Sequence, residues 1–87
     1  MEVHRPARKH GVDDADIEYV AANALAVLDE ENDEGIDQVL YLGWNRAGDM
    51  LLEIVVLHFD DGRVMAIHAM KMQPRYESYL PSGDDDA

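Results

Sequence analysis

Cysteine is absent from the 87 residues, which excludes a disulfide framework and a thiolate metal site and leaves the chain indifferent to redox compartment. Long apolar runs are absent as well. The longest, Met50 to Leu57, is interrupted by Glu53 and falls far short of a membrane span. The opening MEVHRPARKH lacks the apolar segment of a signal peptide, so a soluble, cytoplasmic protein with no membrane partner is expected. Cations are scarce. Seven Lys and Arg against nineteen Asp and Glu give a net charge of -12, and a polyanion of that sign repels nucleic acid.

What is present is arranged by sign. Arg5, Arg8 and Lys9 face only Glu2 in the first twelve residues, and Arg63, Lys71 and Arg75 lie in a stretch, 63–76, without an acid. Residues 13–37 hold acids and no Lys or Arg, and Asp84, Asp85 and Asp86 follow at the tail. A cationic patch therefore survives if the two basic segments meet; otherwise the acids make a solvated surface that keeps the protein soluble.

The content of 47% hydrophobic residues suits one compact domain over residues 1–80, with 81–87, PSGDDDA, as a disordered acidic tail. Within residues 1–12, Arg5 to Gly11 predicts one or two helical turns, with Pro6 in the first turn and Gly11 as the stop. Asp13 predicts an N-cap, Asp14 and Asp16 favour the positive end of the helix dipole, and Val12 and Ile17 form a hydrophobic staple. Ile17, Val20, Ala21, Ala24, Leu25 and Leu28 then recur at helical spacing. Asp29 to Asp37, DEENDEGID, predicts a solvated loop; its spacing does not reproduce a Ca²⁺ loop, so no metal or other cofactor is expected.

Three strands follow in the pattern. Gln38 to Trp44 is rich in β-formers, NRAGD supplies a turn, and Met50 to Phe59 is apolar on both faces, as a central strand requires. Asp61-Gly62 predicts a type I′ turn into Arg63 to Met70, along which His68 shares a face with Val64, Ala66 and Met70. Pro74 opens a short helix carrying Arg75, Tyr76 and Tyr79. The expected class is α+β: one or two N-terminal helices packed on a three-stranded antiparallel meander, with a short C-terminal helix.

Arg8-Lys9-His10-Gly11-Val12, the acid-capped helix with Ile17, Leu42-Gly43, Gly48, the strand Leu51 to Leu57 and Ile67-His68-Ala69-Met70 leading to Arg75-Tyr76 together resemble the BrnT-type toxins of bacterial toxin and antitoxin pairs, within the RelE/ParE-like group. The resemblance spans about residues 5–80, and RKHGV is its most distinctive motif. It implies a compact α+β toxin fold, metal-independent cleavage of mRNA, free or ribosome-bound, and neutralisation by a cognate antitoxin covering the basic face. Where such toxins commonly carry an Ile-Ser-Ala-Arg type segment, this chain has Ile67-His68-Ala69-Met70, with Met70 at the arginine position. That departure, with the acidity, keeps a second reading open: a catalytically silent interaction module.

Attack of a 2′-hydroxyl on RNA phosphate needs a proton acceptor, a cation for the transition-state charge and a donor for the leaving oxygen. His68 is the candidate base or acid, Lys71 and Arg75 the phosphate contacts, and Tyr76 or Tyr79 a stacking group or auxiliary donor. Arg8, Lys9, His10 and Arg63 would extend the RNA-binding surface. Each has a plainer role: His68 and His58 as core histidines, Arg75 paired with Glu77 or the acidic loop, Lys71 in solvent, and the tyrosines closing a core edge. Trp44 suits core or interface, and Met65, Met70 and Met72 suit gap-filling or an adaptable surface. Apolar strands and sheet edges leave homodimerisation open.

Overall fold

A computed structural model of the chain describes residues 1–30 and 35–81. The α+β class holds, but the sheet is larger than the expected meander. Five strands, β1 (Glu2–Val3), β2 (Ala26–Glu30), β3 (Asp37–Trp44), β4 (Leu51–His58) and β5 (Val64–Lys71), lie in the order β1-β5-β4-β3-β2. The three predicted strands form its antiparallel middle; β2 adds antiparallel to β3, and β1 adds parallel to β5, which makes the sheet mixed. One α-helix, α1 (Asp14–Asn23), and two 3₁₀ turns, Arg5–Arg8 and Pro74–Tyr79, complete the described elements. Among the described residues no helix is long and apolar enough to cross a membrane.

The start of α1 is where the sequence puts it. Asp13 is the N-cap residue, and its carbonyl accepts from the amides of Asp16 and Ile17. Its side chain makes no capping bond and lies instead 3.6 Å from Arg46. The end differs from expectation: the helix stops at Asn23, whose side-chain amide donates to the Tyr19 carbonyl, and Ala24 turns to extended backbone. Leu25 then donates to the Leu42 carbonyl, and Ala26 to Glu30 run as β2 rather than as a last helical turn and loop. Gly43 permits this corner. A Cβ there would stand 3.3 Å from Ala24 Cα and 3.5 Å from Val20 Cγ1. The remainder of the predicted acidic loop, 31–34, and the predicted disordered tail, 82–87, lie outside the described residues.

The sheet buries both faces of β4, as its unbroken apolar run predicts. On one face Leu52, Ile54, Val56, Ala66 and Ala69 meet Ile17 and Val20 of α1 and Ala7 of the first 3₁₀ turn, with the staple residue Val12 packed alongside. On the other, Leu40, Leu42, Leu51 and Val55 are covered by Met72, Tyr76 and Leu80 from the C-terminal segment.

Two local features depart from simple alternation. The β4–β5 connection closes with Gly62 N–H to the Phe59 carbonyl and Phe59 N–H to the Arg63 carbonyl, and only Gly62, at φ 93°, has positive φ. That is a three-residue loop with glycine in the left-handed position, not a type I′ turn, which needs positive φ at both central residues. In β5, Val55 pairs with His68 but Val56 pairs with Ala66, so Ile67 is an extra, bulged residue. The bulge puts Ala66 and Ala69 on the α1 face together and turns His68 to the opposite one. His68 therefore does not share a face with Val64 and Ala66.

Candidate functional site

The bulge matters because of what His68 meets. Glu53, in mid β4, is 2% exposed and lies on the face away from α1, between Leu42 and Met70 as its cross-strand neighbours. Burying a carboxylate costs several kcal/mol unless its oxygens are bonded, by order-of-magnitude reckoning. Here both are used. His68 Nε2 lies 2.9 Å from Oε2, the Gln73 backbone N–H donates to Oε1 at 2.9 Å, and the Gln73 side-chain amide reaches Oε2 at 3.1 Å and Oε1 at 3.3 Å. A carboxylate only accepts, so it pairs with the tautomer that carries its proton on Nε2, and Nδ1 is the ring's remaining position. The His68 side chain keeps 33% of its surface in solvent. A buried acid thus orients a half-open histidine and ties β5 to Gln73, the residue that begins the second 3₁₀ turn.

A second imidazole approaches from the sheet edge. The parallel pairing of β1 with β5 ends at Val3 and Ala66, just before the bulge, and the His4 amide makes the last bond to Ala66. Beyond it the chain folds over as the Arg5–Arg8 turn packed on β5. This brings the exposed His10 ring edge-on to His68, with centroids 6.1 Å apart and planes at 74°. His10 also lines a cleft of about 360 Å³ with Val12, Asp13, Asp16, Met50, Leu52 and Lys71. Lys71 pairs with Leu52 and so points to the α1 face, opposite His68, and among the described residues it makes no ion pair. Arg46 bridges the cleft's acids: its guanidinium and backbone N–H both bond Asp16, holding that carboxyl below its usual range.

The other sequence candidates are dispersed. Arg8 makes a two-pronged bond to Asp14 at 3.0 and 2.8 Å, which lowers the Asp14 carboxyl and leaves the guanidinium engaged. Lys9 is exposed beside it. Arg63 belongs to the opposite end of β5, about 26 Å from Lys71 at the usual strand rise, where it bonds Asp61 and stacks over Phe59. Among the described residues no carboxylate pairs with Arg75; its guanidinium lies 4.8 Å over the Tyr76 ring, while Tyr76 packs on the core and Tyr79 is 53% exposed. His58 bonds the Tyr41 hydroxyl at 3.1 Å, in keeping with a packing role. The fold brings His10 against His68 and sets it in one cleft with Lys71 on the α1 face, leaves Arg75, Tyr76 and Tyr79 as a separate aromatic and cationic cluster, and keeps Arg63 remote.

Sequence reading missed Glu53 and Gln73. The available signal was a lone acid within the apolar run Met50 to Leu57, at a position where a central strand has no route to solvent. No family model, curated protein or solved structure matches the chain.

Proposed function

We propose that this chain is a toxin-like protein of a toxin–antitoxin pair that cleaves RNA without a metal and is neutralised by a small antitoxin. The observation that carries the reading is the His68 ring held through Nε2 by the buried Glu53 carboxylate, with Nδ1 left to meet a substrate. A histidine backed by a carboxylate takes a proton well, because the fixed anion stabilises the imidazolium that forms. His68 removes the 2′-hydroxyl proton, the 2′-oxygen attacks phosphorus, and Lys9, next to His10 in the chain, and Lys71, in the cleft that His10 lines on the other face of β5, supply the nearby positive charge. The Arg75–Tyr76 stack offers a surface for a base.

Purified protein in excess chelator, given single-stranded RNA or ribosome-bound mRNA, is expected to leave products with 2′,3′-cyclic phosphate ends. His68→Ala, checked for native circular dichroism, loses about 10²–10⁴ in rate. Intact RNA, with His68→Ala indistinguishable from the parent, would overturn the reading. A second reading, a silent interaction module, is favoured by one observation: Arg8 and Arg63, two of the cations assigned to RNA, are engaged by Asp14 and Asp61. It predicts tight binding of an antitoxin partner without cleavage; growth arrest on expression alone, lost on Arg75→Ala, would exclude it.

A further inference from the structure

The geometry points to His10 as the second proton-transfer group of this site, the general acid that completes a histidine pair with His68. The inference rests on the RNA-cleavage reading above and adds to it the residue that protonates the leaving oxygen.

Two observations converge. The His10 and His68 rings are 6.1 Å apart between centroids. Hydrogen bonds of about 2.8 Å to different oxygens of one phosphodiester require two donor rings to be near neighbours, as rings in edge contact are. Both rings can therefore reach one phosphate seated at the β5 edge. The two rings also differ in surroundings. His68 has its Nε2 bound by Glu53, whereas His10 is exposed and faces the cleft with Lys71. A carboxylate-backed ring is suited to accept a proton and a solvent-facing ring to deliver one, so the pair divides the labour.

The step balances without a co-reactant. His68 Nδ1 accepts the 2′-hydroxyl proton as the O2′–P bond forms. The P–O5′ bond breaks, and the imidazolium of His10 gives its proton to O5′. The products are a 2′,3′-cyclic phosphate and a 5′-hydroxyl. Lys71, in the cleft that His10 lines and on the other face of β5 from His68, adds positive charge on the His10 side, and Asp13 and Asp16 line the same cleft.

The test uses two dinucleotide substrates, one natural and one whose leaving 5′-oxygen is replaced by sulfur, a leaving group that needs no protonation. His10→Ala removes an exposed side chain that makes no hydrogen bond among the described residues, so the fold is retained. It is expected to cleave the natural substrate about 10²–10⁴-fold more slowly, to lose the alkaline limb of the pH–rate profile, and to regain near-parent rate on the thio substrate. His68→Ala stays slow on both. A parent that cleaves RNA while His10→Ala matches it on the natural substrate, or is not rescued by sulfur, overturns the assignment of His10 alone. A parent that cleaves neither substrate overturns the RNA reading and this inference with it.

Discussion

Glu53 shows how one side chain can be structural and functional at once. It is the only charged residue buried among those described, and three donors from two residues converge on it. Truncation to alanine would leave the Gln73 amides and the His68 ring without an acceptor, and each buried donor left unpaired in this way costs about 1–3 kcal/mol. Glutamine keeps the volume and one acceptor oxygen for the Gln73 backbone N–H, so Glu53→Gln is expected to cost about 1–2 kcal/mol. Urea denaturation of the two variants measures the gap. Equal losses would mean that Glu53 holds its surroundings through the charge of its carboxylate alone, with no contribution from the volume and single acceptor that glutamine keeps. The residue was legible only as an anomaly, an acid in an apolar run; that it would face His68 was not, because the bulge at Ile67 decides which face His68 takes. Alternation in β5 is read correctly from either end, and one uncounted residue reverses it.

At the scale of elements, the staple and N-terminus of α1, the three central strands and the Pro74 turn could be read from sequence because local chemistry and burial agree there. The boundary between α1 and β2 could not. Ala21, Ala24, Leu25 and Leu28 fit a helical period, while Ala26, Leu28 and Glu30 fit alternation, and the observed burial of β2 follows the second pattern. What decides is tertiary: β3 offers Leu42's carbonyl to Leu25, and Gly43 opens the space for the Ala24 backbone. Gly43→Ala should therefore act on this corner specifically. Its Cβ would press on the Ala24 backbone at 3.3 Å while meeting Leu25 N and Val20 Cγ1 at ordinary contact, and overpacking of this kind costs about 1–3 kcal/mol. Hydrogen exchange gives the sharper readout. The Leu25 amide, bonded to Leu42, should lose protection in Gly43→Ala more than the amides of the β4–β5 pair, and uniform loss across the sheet would contradict a local clash.

Across the whole molecule, the charge segments did not combine as the sequence allowed. Arg8, Arg46 and Arg63 each found acids close by, at Asp14, at Asp16 and Asp13, and at Asp61, so three of the seven basic side chains are spent in exposed pairs. Exposed pairs contribute little stability and weaken further in salt, whereas the excess of twelve negative charges repels itself throughout. These two effects respond to salt in opposite directions. Raising ionic strength from about 0.01 M to about 0.5 M shortens the screening length from about 30 Å to a few ångströms, which removes long-range repulsion across a molecule 43 Å in its longest dimension. Self-repulsion outweighs the pairing, because it sums over many acids while the pairs are few and solvated. Tm should therefore rise steadily with sodium chloride over that range, and scanning calorimetry at several concentrations would measure it. A Tm that falls instead would show that the exposed arginine pairs, not the net charge, set the electrostatic stability of this fold.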